Sequence, residues 1–140
     1  MDGQSPQTDR SRQPPAERFA GDVHRFSLAT EAARLRAEPR AAKDGHRQIT
    51  IFRQDPVTVM LFDFEAGGVL ADHEAGGIVT ILVLSGRAEV RTAEGVHVLP
   101  AGDLLVLRPG VSHDLAAVEA SQVLVSVHLS PSAGSALSGS

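Results

Sequence analysis

Cysteine, tryptophan and tyrosine are absent from this 140-residue sequence, and five Phe are its only aromatic residues. Without Cys there is no disulfide framework, no thiolate nucleophile, no iron–sulfur cluster and no Cys-type zinc site. Any metal must then be held by His, Asp or Glu, and the chain has six His. Without Tyr or Trp, stacking on nucleic-acid bases would fall to Phe, His or Arg. The net charge of −4 offers phosphate no general attraction, so nucleic acid is not an expected partner. Long apolar runs are lacking too. No window approaches the ~18 residues of a membrane span, and residues 1–22 hold no apolar signal-peptide core. These absences point to a soluble, cytoplasmic protein. Twelve Arg against one Lys, with abundant Ala, fit a GC-rich bacterial genome.

What is present suits one globular domain: 42% hydrophobic and 21% charged residues, in a chain long enough to bury a real core. Charge is uneven. Residues 1–53 carry 10 basic and 7 acidic side chains, and residues 54–140 carry 3 and 10. The basic half includes Arg34, Arg36, Arg40, Lys43 and Arg47, read first as a solvated helix face and its exit loop, and second as a patch for an anion or partner. Residues 1–22 have no apolar periodicity and are expected to be disordered, and residues 131–140 (PSAGSALSGS) read as a flexible tail. The folded unit is expected over 23–130. Leu28, Ala32 and Leu35 recur at helical spacing, which predicts a short helix over about 28–38, ending before Pro39.

From His46 onward, short β-rich runs alternate with turn residues. Strands are expected near 47–53, 57–65, 78–84, 87–92, 96–99, 104–107 and 122–129, punctuated by Asp55-Pro56, Gly67-Gly68, Ser85-Gly86, Glu94-Gly95, Ala101-Gly102 and Pro109-Gly110. Regular short strands without interleaved helices predict an all-β sandwich or barrel. No Gly-rich phosphate loop and no G-x-S-x-G element appears.

Two stretches could carry chemistry. In residues 66–90, His73 sits in a short connection between Gly67-Gly68 and Gly76-Gly77, ahead of an apolar strand and Gly86. In residues 101–114, Gly102-Asp103 opens a strand, and Pro109-Gly110 then leads to His113. A closed sheet can bring both His to one mouth, where small barrels hold ligands. His97 and His128 lie on other strands and are weaker candidates as donors. His24 and His46 precede the barrel and carry little functional signal. Asp103 reads as a turn-former.

These stretches resemble the cupin superfamily of small jelly-roll barrels. Against the first cupin motif, G-x5-H-x-H-x3-E-x6-G, Gly67, His73 and Gly86 match, while Ala75 and Val79 replace a His and a Glu. Against the second, G-x5-P-x-G-x2-H-x3-N, Gly102, Gly110 and His113 match, Arg108 takes the Pro position, and Ala117 stands where Asn is usual. The resemblance covers about residues 46–130. It implies a cupin-like jelly roll with a short N-terminal helix, and a homodimer formed by strand exchange or sheet packing, with the 47–53 edge needing cover. It also implies a metal position at His73 and His113, for Mn, Fe, Ni or Zn, with two of the usual four ligand positions apolar. A transition metal asks for three or four protein donors.

Three functional readings follow. The first is a small-molecule-binding or sensing barrel with a reduced, two-His motif. The second is a metal-dependent enzyme of dioxygenase or isomerase type, using His73 and His113 plus a third donor. The third is a regulatory partner protein acting through the basic N-terminal segment. Neither a substrate nor a catalytic residue can be named from these patterns.

Overall fold

A strand's backbone amides need partners that water or a neighbouring strand supplies, and nine short strands pair in two sheets. The computed structural model describes residues 21–39, 42–73 and 76–130. Among the described residues one helix, α1 (Leu28–Ala37), precedes β1 (His46–Gln54), β2 (Val57–Phe64), β3 (Val69–His73), β4 (Gly77–Ser85), β5 (Arg87–Thr92), β6 (Gly95–Pro100), β7 (Leu104–Leu107), β8 (His113–Ala117) and β9 (Ser121–Leu129). A five-stranded sheet runs β1-β2-β9-β4-β7 and a four-stranded sheet runs β3-β8-β5-β6, with every pairing antiparallel. The all-β jelly-roll expectation holds, and every strand read from the sequence is present. Two more, β3 and β8, lie where turns and connections were expected. The expected tails fall largely outside the described residues, as does Arg40. No helix among the described residues is long and apolar enough to cross a membrane.

Period-2 alternation gives the five-stranded sheet two apolar faces. Phe62, Phe64, Ile81, Val83, Val123 and Val125 face the second sheet, where Val90, Leu99 and Leu115 complete the inter-sheet core. Their neighbours Leu61, Leu84 and Leu124 face outward and join Ile49 and Ile51 beneath Ala32 and Leu35 of α1. The helix is thus a lid on half of the sheet's outer face. Ser27 caps it, its hydroxyl accepting from the Thr30 amide at 3.2 Å. Arg36 anchors it, donating to the buried Asp63 carboxylate of β2 at 2.7 Å, and that bond, then the Coulomb attraction, raises the guanidinium above its usual value. Arg34 pairs with Glu31 at 3.3 Å. Two side chains of the basic segment are therefore engaged in ion pairs, Arg34 within α1 and Arg36 between α1 and β2.

Buried groups close the seam between the sheets. His46, on the β1 edge, donates from Nδ1 to the Val69 carbonyl at the β3 edge (3.1 Å), and its ring packs against Phe62 and Phe64. Gly45, at φ +77°, lies against Gly68 so closely that a Cβ would come within 2.6 Å of the Gly68 Cα. Opposite, buried Ser121 accepts from the Arg87 amide at 3.0 Å and directs its hydroxyl proton toward the Glu119 and Arg87 carbonyls.

Candidate functional site

The strands missing from the sequence reading are the ones that carry the two motif histidines. VLADH (β3) and HDLAA (β8) contain an Asp, Ala and few β-branched residues, so they show little strand propensity. They form because each pairs with the other, and because β8 also pairs with β5 inside the sheet. His73 and His113 are Cα partners across this ladder, past an irregularity between Leu70 and His73. Directly opposed positions in an antiparallel pair stand closest together. The expectation of His73 in a connection and His113 beyond a turn is corrected: they are opposed strand residues at one end of the four-stranded sheet.

On β8, burial alternates, and His113, Leu115 and Ala117 point inward. The His113 Nδ1 lies 3.0 Å from the Val111 carbonyl. A carbonyl only accepts, so Nδ1 carries a proton that it donates to Val111. The sequence offers no carboxylate to orient this ring. A backbone carbonyl two residues upstream does it instead, a signal that only the turn geometry of the Pro109-Gly110 loop can supply.

Beside His113 opens a cleft of about 730 Å³, within the usual range for small-molecule sites. It is lined by the β5–β6 hairpin, β7, the loop into β8, and β8 itself. Leu105, Leu107 and Val111 give it aliphatic walls, and half-buried His97 of β6 lines it together with His113. Arg91, Glu94, Arg108 and Asp114 bring both signs of charge to it. No Phe lines it, so its walls offer aliphatic groups, imidazole, guanidinium and carboxylate. His97 thereby joins the site, whereas His128 does not. His128 sits exposed on β9, its Nε2 3.1 Å from the Ser126 hydroxyl. Asp103 sits in its expected turn, through backbone bonds: its amide donates to Pro100, and its carbonyl accepts from Val83.

Among the described residues no group of three or more His, Asp or Glu is placed to hold an ion. Val79, at a position where the cupin pattern has Glu, is packed in the inter-sheet core at 3% exposure.

Comparison with known proteins agrees with this architecture. Residues 65–135, from the end of β2 past β9 and including both motif histidines, match the family model of the AraC-like ligand binding domain. No curated protein matches the sequence. Among solved structures, a cupin superfamily protein of Desulfitobacterium hafniense superimposes with a TM-score of 0.63 at 17% identity, covering 80% of this chain and 95% of that one. KdgF from Halomonas sp. gives 0.58 at 20%, covering 66% and 87%. The Cnp3 cupin domain of Schizosaccharomyces pombe gives 0.64 at 14%, covering 84% and 81%. At such identities the likeness is one of fold. With the family match over half its length, the chain belongs to the AraC-like ligand binding domain family, and its fold is that of the cupins.

Proposed function

We propose that this barrel binds a small organic molecule in the cleft beside His97 and His113, as a binding or sensing module without turnover. One observation carries the reading: a cleft of ligand size, walled by Leu105, Leu107 and Val111, into which a buried imidazole is set with its Nδ1 held by a backbone carbonyl. A preformed apolar pocket with a few placed polar groups is what a small ligand requires. The His97 and His113 imidazoles bring polar ring edges to the cleft, and the Arg91 and Arg108 guanidiniums, which reach the same cleft, suit an acidic or polyhydroxyl group. The family's description as a ligand binding domain supports the same reading. The test is an NMR screen of a fragment library against the ¹⁵N-labelled protein. Binders should shift the amides of His97, Leu107, Val111 and His113, and His113→Gln should weaken them tenfold or more while the spectrum stays folded. A library without binders, or binders that map elsewhere, overturns the proposal.

The opposition of His73 and His113 supports a second reading, a metal-dependent enzyme holding Mn, Fe, Ni or Zn on this pair. Two imidazoles are fewer donors than such an ion asks for, so the ion would depend on solvent or ligand to complete its shell. Metal analysis of protein purified without chelator distinguishes the two. Stoichiometric metal, lost in both His73→Ala and His113→Ala, favours the enzyme. Trace metal, with no thermal shift on adding a divalent ion, removes it.

A further inference from the structure

Guanidiniums alone do not describe the charge of the cleft beside His113. Its lining holds Arg91 and Arg108 and also the carboxylates of Glu94 and Asp114, so its fixed charges balance. Arg91 and Asp114 are cross-strand partners on β5 and β8, where opposite charges offset each other locally. Glu94 and Arg108 have no such strand neighbour. Glu94 lies in the turn between β5 and β6, at the edge of the four-stranded sheet, and its amide donates to the Thr92 hydroxyl at 3.1 Å. That bond fixes the turn and leaves the exposed Glu94 carboxylate uncommitted. Arg108 follows β7 at the edge of the five-stranded sheet, in the place where the cupin pattern has Pro. Among the described residues neither Glu94 nor Arg108 makes an ion pair. Each sheet thus brings one charge, of opposite sign, to a single cleft.

The rest of the lining narrows the ligand further. Leu107 belongs to the inter-sheet core, and half-buried Leu105 and Val111 pack against it, which makes a continuous aliphatic wall. No Phe is part of it, so a sugar finds no aromatic face for its C–H groups. A phosphate or a dicarboxylate would set two negative charges beside Glu94 and Asp114, and like charges repel. A simple acid would answer Arg108 and leave Glu94 without a counter-charge. A simple amine would do the reverse. A molecule with one charge of each sign and an apolar body answers every part of the lining.

On the footing of the binding role proposed for this cleft, we infer that its ligand is a zwitterion with an aliphatic side chain, a free amino acid or a short peptide. Its carboxylate pairs with Arg108, its ammonium with Glu94, and its side chain lies against Leu105, Leu107 and Val111. The planar guanidinium offers two parallel N–H donors that match the two oxygens of a carboxylate. An ammonium is a compact donor without an acceptor, and it makes charge-assisted hydrogen bonds to the Glu94 carboxylate. Arg108 and Glu94 are then specificity residues, each reading one end of the same molecule.

The test titrates the ¹⁵N-labelled full-length protein with leucine, with leucyl-leucine, and with two analogues that keep one charge each. Isocaproate lacks the ammonium, and leucinamide lacks the carboxylate. Leucine or leucyl-leucine should give saturable shifts at Leu107, Val111 and His113, and the one that binds tells a free amino acid from a dipeptide. Both analogues should bind at least tenfold more weakly. Arg108→Gln should weaken the zwitterion at least tenfold without weakening leucinamide, and Glu94→Gln should do so without weakening isocaproate. Both residues are exposed, so the spectra should stay folded. Arg108→Lys should recover part of the loss, because it keeps the charge and gives up the fork. Analogues that bind as tightly as the zwitterions, or a zwitterion indifferent to both substitutions, overturn the inference. So does a cleft that ignores these probes and takes fragments of other chemistry. All three outcomes leave the binding role standing, which falls only if no molecule binds in the cleft.

Discussion

At the scale of single residues, polar side chains that the sequence gives no reason to notice hold the strands in place. Ser121 is 1% exposed, and its one hydroxyl serves three backbone groups at the crossing from β4 to β5. Ser121→Ala leaves the Arg87 amide without that acceptor, and should cost about 1–3 kcal/mol, measured by urea unfolding. Gly86 adjoins the same crossing at φ +86°, where a Cβ would stand 2.8 Å from the Ser121 Cα. Gly86→Ala therefore combines a left-handed backbone with a clash against main chain, and should cost about 1–3 kcal/mol or prevent folding. This glycine was legible as a match to the cupin pattern. Its physical cause was not, since it lies in a residue 35 positions away. The reverse holds for His113. Its match to the cupin pattern was legible from spacing, while the carbonyl that holds its Nδ1 is placed only by the folded loop.

Among the elements, legibility tracked side-chain chemistry. Strands such as ILVL in β4 and QVLVSV in β9 announce themselves, because alternating β-branched and aliphatic residues fit a pleated, half-buried surface. β3 and β8 do not, because their stability comes from neighbouring strands rather than from their own composition. Helix α1 was found by its spacing, to within a residue of its Leu28–Ala37 bounds. Its sequence does not show where it docks. Leu35, 1% exposed, fills the outer cluster against the five-stranded sheet, and Leu35→Ala should cost about 2–5 kcal/mol in chemical denaturation. Arg36→Ala removes an exposed partner from the buried Asp63 and should destabilise less than Leu35→Ala, in the same experiment.

For the whole molecule, the two apolar clusters are opposite faces of one sheet, with Leu61 in one and Phe62 in the other. Losing either face disrupts the same strands, so unfolding should be one cooperative transition. Phe62→Ala and Leu35→Ala should both shift that single transition, followed by circular dichroism because there is no Trp or Tyr to report it. Two separate transitions would show that α1 and its cluster come away independently. By itself, the sequence determined the class of fold, the number of strong strands, the helix, the pair His73 and His113, and the exclusion of thiolate chemistry. These are local matters of composition, period and spacing. Tertiary structure decided which strands are neighbours, and with that the opposition of His73 to His113, the entry of His97 into the cleft, and the use of Arg36 as an anchor. Those are relations between residues far apart in the chain, and only the closing of two sheets on one core brings them together.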